Sequence, residues 1–188
     1  MRNNTTKKLT ISGICLALCM VLPFLTAQVP QVGAALGPMH IPVLLSGFLV
    51  GPLYAAAVGF VAPILRFLIF TTPPLPMALA MCFELMAYGF FAGVLYKKLP
   101  DKTISIYISL IIAMILGRIV WGIAAARVFV LIAPPPWLYP FGFQTFISAA
   151  FVSAVPGIIL HIVLIPIVVI ALKRAGISAE SPIPTQTT

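Results

Sequence analysis

The chain has 188 residues, of which 62% are hydrophobic and only 7% charged, and its mean hydropathy is +1.17. A soluble domain of this size needs a charged surface that this composition cannot supply, so the sequence reads as an integral membrane protein with no room for a second soluble domain. The excess of 11 Lys+Arg over 3 Asp+Glu would also suit nucleic acid, but most of these charges flank apolar runs, where membrane lipid headgroups of the inner leaflet receive them; nucleic acid is not an expected partner.

A bilayer core of about 30 Å needs about 20 helical residues, and six spans are expected in an all-α fold. The first covers Lys8 to Thr26, where a basic start and an apolar run without an A-x-A-like cleavage site read as a helix rather than a cleaved signal. The second, Ile41 to Val50, is too short to cross alone and starts near Pro42. The third runs from Leu53 to Phe70, the fourth from Pro76 to Tyr96 and the fifth from Ile104 to Ile132. The sixth, Phe143 to Leu172, contains Pro156 and Pro166, each of which removes a backbone donor and favours a kink. A five-span topology is the competing reading.

Six spans put both termini on one side, and the flanking charges agree. Arg2, Lys7 and Lys8 precede the first span, Lys97, Lys98 and Lys102 follow the fourth, and Lys173 and Arg174 follow the sixth. The three opposite loops, Ala27–His40, Thr71–Leu75 and Ala133–Gly142, hold no Lys or Arg. By the positive-inside rule both termini are cytoplasmic. Residues 1–177 form one transmembrane domain, and the polar tail Ser178–Thr188 reads as disordered.

With this topology, Glu84 lies eight residues into the fourth span, about 12 Å down its axis. Arg118, in the stretch "LGRIVWG" (Leu116–Gly122), lies fourteen residues into the fifth, about 21 Å from the cytoplasmic end and at an overlapping depth. Arg66 and Arg127 fall further out, and His40 and Gln144 at the outer mouth. A charge inside a membrane normally faces a partner or a wet cavity. Glu84 and Arg118 can pair as a purely structural element. Arg127 is half a turn out of phase with Arg118 and can snorkel to the outer headgroups, as can Arg66. The outer half still carries more positive charge than its acids can match, and a small anionic ligand entering from outside would supply the missing partner. Arginine suits that role because its planar fork grips a carboxylate through two parallel hydrogen bonds. Trp121, one turn from Arg118, and Tyr88, one turn from Glu84, complete a candidate pocket or pack as ordinary core. His161 reads as a core or partner-contact residue.

Cys15, Cys19 and Cys82 lie within apolar segments without metal-ligand spacing and read as packing residues. The sequence holds no G-x-x-x-x-G-K-[ST], H-E-x-x-H or G-x-S-x-G pattern, and only one acid lies in the membrane. Neither an enzyme, nor a metal or cofactor site, nor a proton-coupled pump is expected.

The short second helix and Gly-Pro turn of "LGPMHIPVLLSGFLVGP" (Leu36–Pro52), the long first outer loop and the basic loop after span four resemble the substrate-binding S components of energy-coupling factor (ECF) vitamin transporters over residues 7 to 173. Within that family, "MHIPVLLSG", "APILRFLIF" and "GRIVWG" look most like the pantothenate branch; niacin and biotin remain open. The resemblance implies a protein of the bacterial cytoplasmic membrane that binds its vitamin from outside. It further implies docking on a transmembrane coupling protein driven by two cytoplasmic ATPase subunits. In that family, docking uses small residues of the first helix. Here "SGICLALC" offers Gly13 and Ala17 at the small-xxx-small spacing, with Cys15 and Cys19 as a second small pair. Two other functions stay open on the residues themselves: a stand-alone small-anion carrier or channel, and a ligand-free membrane assembly subunit.

Overall fold

The computed structural model describes residues 2–26, 33, 35–132, 147–148 and 152–177. Six α-helices account for most of them: α1 (Arg2–Val21), α2 (His40–Val50), α3 (Pro52–Phe70), α4 (Leu75–Lys98), α5 (Thr103–Ile132) and α6 (Val155–Arg174), with a 3-10 helix, Leu22–Thr26, continuing α1. Five are long and apolar enough to cross a membrane, and α2 is a shorter apolar helix. The all-helical architecture with a short second helix is as expected. Pro52, Pro76 and Pro156 occupy the first two positions of α3, α4 and α6, where a missing N–H has no helical partner to lose. Pro156 therefore starts the last helix instead of kinking it. Only Pro166 lies inside α6, and Pro63 inside α3.

The start of α1 meets the residues just after α6 at one end: Lys7 Nζ donates to the Gly176 carbonyl at 2.8 Å. At the same end Lys173 Nζ, just before it in α6, reaches Asp101 Oδ1 at 2.6 Å and Tyr96 OH at 2.8 Å, which brings in the α4–α5 loop. This is the basic end that the positive-inside rule assigns to the cytoplasm.

Close helix packing rests on small residues. Gly89 of α4 lies on the Ala55 backbone of α3, where an added Cβ would sit 2.6 Å from the Ala55 carbonyl oxygen. Gly47 of α2 packs in the same way on Gly89, Ala92 and Gly93. The large aliphatics point outward instead: Ile108, Ile111, Ile112, Ile115, Ile119 and Ile123 of α5 are exposed, while Leu110, Ala113, Met114 and Ala125 are buried. In lipid there is no gain from hiding an isoleucine, so close approach decides what lies inside.

The short length of α2 has a positional cause. It begins beside Glu84 of α4, about 13 Å below the outer start of that helix at 1.5 Å per residue. The chain thus descends into the bundle before α2 starts. His40 lies level with Glu84 rather than at the outer mouth expected from the sequence.

Candidate functional site

Glu84 is at the centre of a polar cluster enclosed by apolar helices. Its side chain is 2% exposed, and Oε1 accepts from Arg118 Nη1 of α5 at 2.9 Å. The same oxygen accepts from Tyr88 OH, one turn along α4, at 2.9 Å. His40 Nε2 of α2 stands 3.5 Å from it, near enough to feel the charge but too far for a well-made hydrogen bond. The His40 ring also leans on Tyr88, with centroids 5.3 Å apart, and stacks on His161 of α6 at 5.8 Å. Three helices therefore meet at one carboxylate, and α6 joins them through the His161–His40 stack.

Two glycines make this geometry possible. Gly117, directly before Arg118, lies against the Tyr88 ring, and a Cβ there would collide with it. Gly37 is left-handed (φ +53°), and a Cβ there would stand 2.7 Å from His40 Nδ1. The Gly37 carbonyl accepts the His40 backbone N–H at 2.9 Å and lies 3.1 Å from His40 Nδ1 and 3.3 Å from His161 Nε2. A carbonyl only accepts, so each of those ring nitrogens must carry its proton. Two polar atoms of the cluster, His40 Nε2 and Arg118 Nε, are buried without a hydrogen-bond partner. Each such atom carries a desolvation cost of order 1–3 kcal/mol unless something satisfies it.

Of the residues picked from the sequence, His40, Glu84, Tyr88 and Arg118 come together, and Trp121 is buried one turn beyond Arg118. Arg66 is also buried, but its Nη1 donates to the Met20 carbonyl at the end of α1 at 3.0 Å. Its guanidinium lies over the rings of Phe24 and Phe70, 5.6 and 5.2 Å from their centroids. That helix-terminal carbonyl and two aromatic faces suit a cation without an acid. Arg127 is exposed towards the outer end of α5. Gln144 and the tail 178–188 lie outside the described residues. No group of three or more metal-ligating side chains forms among the described residues.

Sequence reasoning missed the parts of Gly37, Gly117 and His161. Gly117 had a visible signal, as a small residue beside a buried arginine. Gly37 and His161 had none, because their link spans 124 positions.

On α1, Gly13 and Ala17 face outward, and nothing stands within 4 Å of a Cβ placed on Gly13. Cys15 and Cys19, on the opposite face of the helix, turn into the core.

Comparison with known families gives a match over residues 7–172 to the ECF transporter substrate-specific component. No curated protein and no solved structure matches the chain. The match spans nearly all of the helical bundle, including every residue of the Glu84 cluster, so this chain belongs to the ECF transporter substrate-specific component family and is a multi-pass protein of the cell membrane.

Proposed function

We propose that this substrate-specific component binds a small carboxylate vitamin, pantothenate favoured, from the outer side, with Arg118 as the anion-holding residue. The observation that carries the reading is the state of the Arg118 guanidinium. Nη1 is engaged by Glu84, while Nε is buried and without a partner. A carboxylate arriving on the Nε side would satisfy that atom and take up the two-pronged geometry that arginine favours. Tyr88 and Trp121 supply flat apolar walls beside it, and His40 a further polar contact. Residues 1–177 act as a single binding domain in this reading.

The loaded protein then delivers its cargo through a transmembrane coupling protein and two cytoplasmic ATPase subunits, as membership of the family implies. Gly13 and Ala17 are the docking face in this proposal. Their exposure on α1, with open space over Gly13, leaves room for a partner helix to approach.

The test is calorimetric titration of the purified protein with pantothenate, niacin and biotin. Tight binding of one of them, weakened at least about 100-fold in Arg118→Lys, supports the reading, because lysine keeps the charge and loses the fork. Absence of binding by a protein shown to be folded would move the Glu84–Arg118 pair to a purely structural role.

A further inference from the structure

The cluster around Glu84 is already balanced. Arg118 contributes one positive charge and Glu84 one negative, while Arg66 is engaged at Met20 and the aromatic pair. A carboxylate added at Arg118 leaves this enclosed site with one negative charge too many, and an uncompensated buried charge is strongly disfavoured. Something beside Glu84 must therefore gain a proton when the anion enters.

We propose that binding of a carboxylate at Arg118 draws one proton onto Nε2 of His40. This inference rests on the ligand reading above. The geometry selects the atom. The Gly37 carbonyl fixes the His40 proton on Nδ1, so in the neutral ring Nε2 bears a lone pair. That lone pair faces Glu84 Oε1 across 3.5 Å, an arrangement of two acceptors that is unsatisfied as it stands. A proton placed between them turns it into a charge-assisted contact, which can hold Glu84 once the ligand competes for Arg118. In charge terms, one anion and one proton from solution enter together, and the site stays neutral.

The other groups around His40 are less suited. Tyr88 on α4 already donates its hydroxyl proton to Glu84. His161 on α6 has its Nε2 proton on the Gly37 carbonyl and stacks on His40, so a charge on both rings would set two cations face to face. On α1, Cys19 Sγ contacts the Met39 carbonyl at 3.7 Å and brings no charge. On α3, Tyr54 lies under Lys8 and Arg66 is held at Met20. Glu84 already accepts from two donors on one oxygen.

His161 acts here as a positioning residue through Gly37. Gly157, one turn before it, lets the incoming loop lie directly on α6: a Cβ there would stand 2.5 Å from the Ala35 carbonyl and 2.9 Å from that of Leu36. The loop is thus seated by α6 so that its Gly37 carbonyl meets both histidines.

Two measurements on the full chain test the proposal. Titration with pantothenate, niacin and biotin in turn, in buffers of different ionisation enthalpy near neutral pH, reads the protons exchanged. About one proton taken up per ligand is expected, with affinity falling by up to about tenfold per unit as pH rises. The chain has only two histidines, so nitrogen-15 spectra of histidine-labelled protein resolve their protonation, with His161→Gln identifying the signals. Without ligand, His40 should carry a proton on Nδ1 alone and His161 on Nε2; with ligand, His40 should carry both. Binding without proton uptake overturns this inference and leaves the ligand reading standing. Uptake with an unchanged His40 spectrum places the proton elsewhere and also overturns it, as does a ligand-free His40 protonated on Nε2. Failure of all three vitamins to bind removes both readings.

Discussion

Neutralising Glu84 and Arg118 singly and together gives the sharpest test of the cluster. The carboxylate side chain is 2% exposed and the guanidinium 14%, so neither charge can be rehydrated in place when its partner is lost. Arg118→Gln leaves an ionised carboxylate with only Tyr88 and a distant His40 around it. Breaking such a buried pair costs about 3–5 kcal/mol. Glu84→Gln leaves the guanidinium unpaired at a similar cost, eased where the long side chain can reach towards polar surroundings. The double variant buries no charge and keeps two amides that can hydrogen-bond each other, so its loss should fall short of the sum. A coupling of about 2–3 kcal/mol is expected. The assay is thermal unfolding of the purified, detergent-solubilised variants, read as shifts in midpoint and combined in a double-mutant cycle. Additive losses would refute the reasoning, because they would mean that the two groups do not hold each other across α4 and α5.

Further predictions bear on other contacts. Gly117→Ala drives a methyl into the Tyr88 ring and should cost about 1–3 kcal/mol as overpacking, seen as a lower unfolding midpoint together with weaker vitamin binding. Replacing Gly13 or Ala17 by Leu changes surface that is exposed within this chain. It should leave the unfolding midpoint and vitamin affinity close to wild type, yet abolish copurification of the coupling protein and uptake in cells. Asp101→Asn removes the ion pair with Lys173, but the Asp101 side chain is 44% exposed and the Tyr96 hydroxyl remains as a partner. The loss should be below about 1 kcal/mol and should shrink further in high salt.

Much of the architecture was legible without coordinates because the bilayer imposes it. Runs of about 20 apolar residues must be helices in lipid, and lysines before the first span, in the loop after the fourth and after the last fix which ends lie together. The depth of a charge followed from counting along each helix, so Glu84 and Arg118 could be matched before any contact was known. The same counting misplaced His40, because a loop that descends before its helix begins leaves no mark on hydropathy.

What the fold alone decided is which faces meet. In a soluble helix a polar stripe marks the outside, but α5 is apolar all round, and its exposed Ile111, Ile115 and Ile119 are indistinguishable in hydropathy from its buried Leu110. Arg66 and Arg118 likewise look alike as buried arginines in sequence. One is satisfied by a helix-end carbonyl and aromatic faces, and the other by a carboxylate. The junction of Gly37 with His40 and His161 joins a loop to a helix more than a hundred residues away. The sequence by itself determined which stretches are helices in lipid, which ends carry the basic residues and how deep Glu84 and Arg118 lie, since these follow from the solvent. The partner of each charge was left to the tertiary structure, since lipid does not distinguish one apolar face from another and only close packing does.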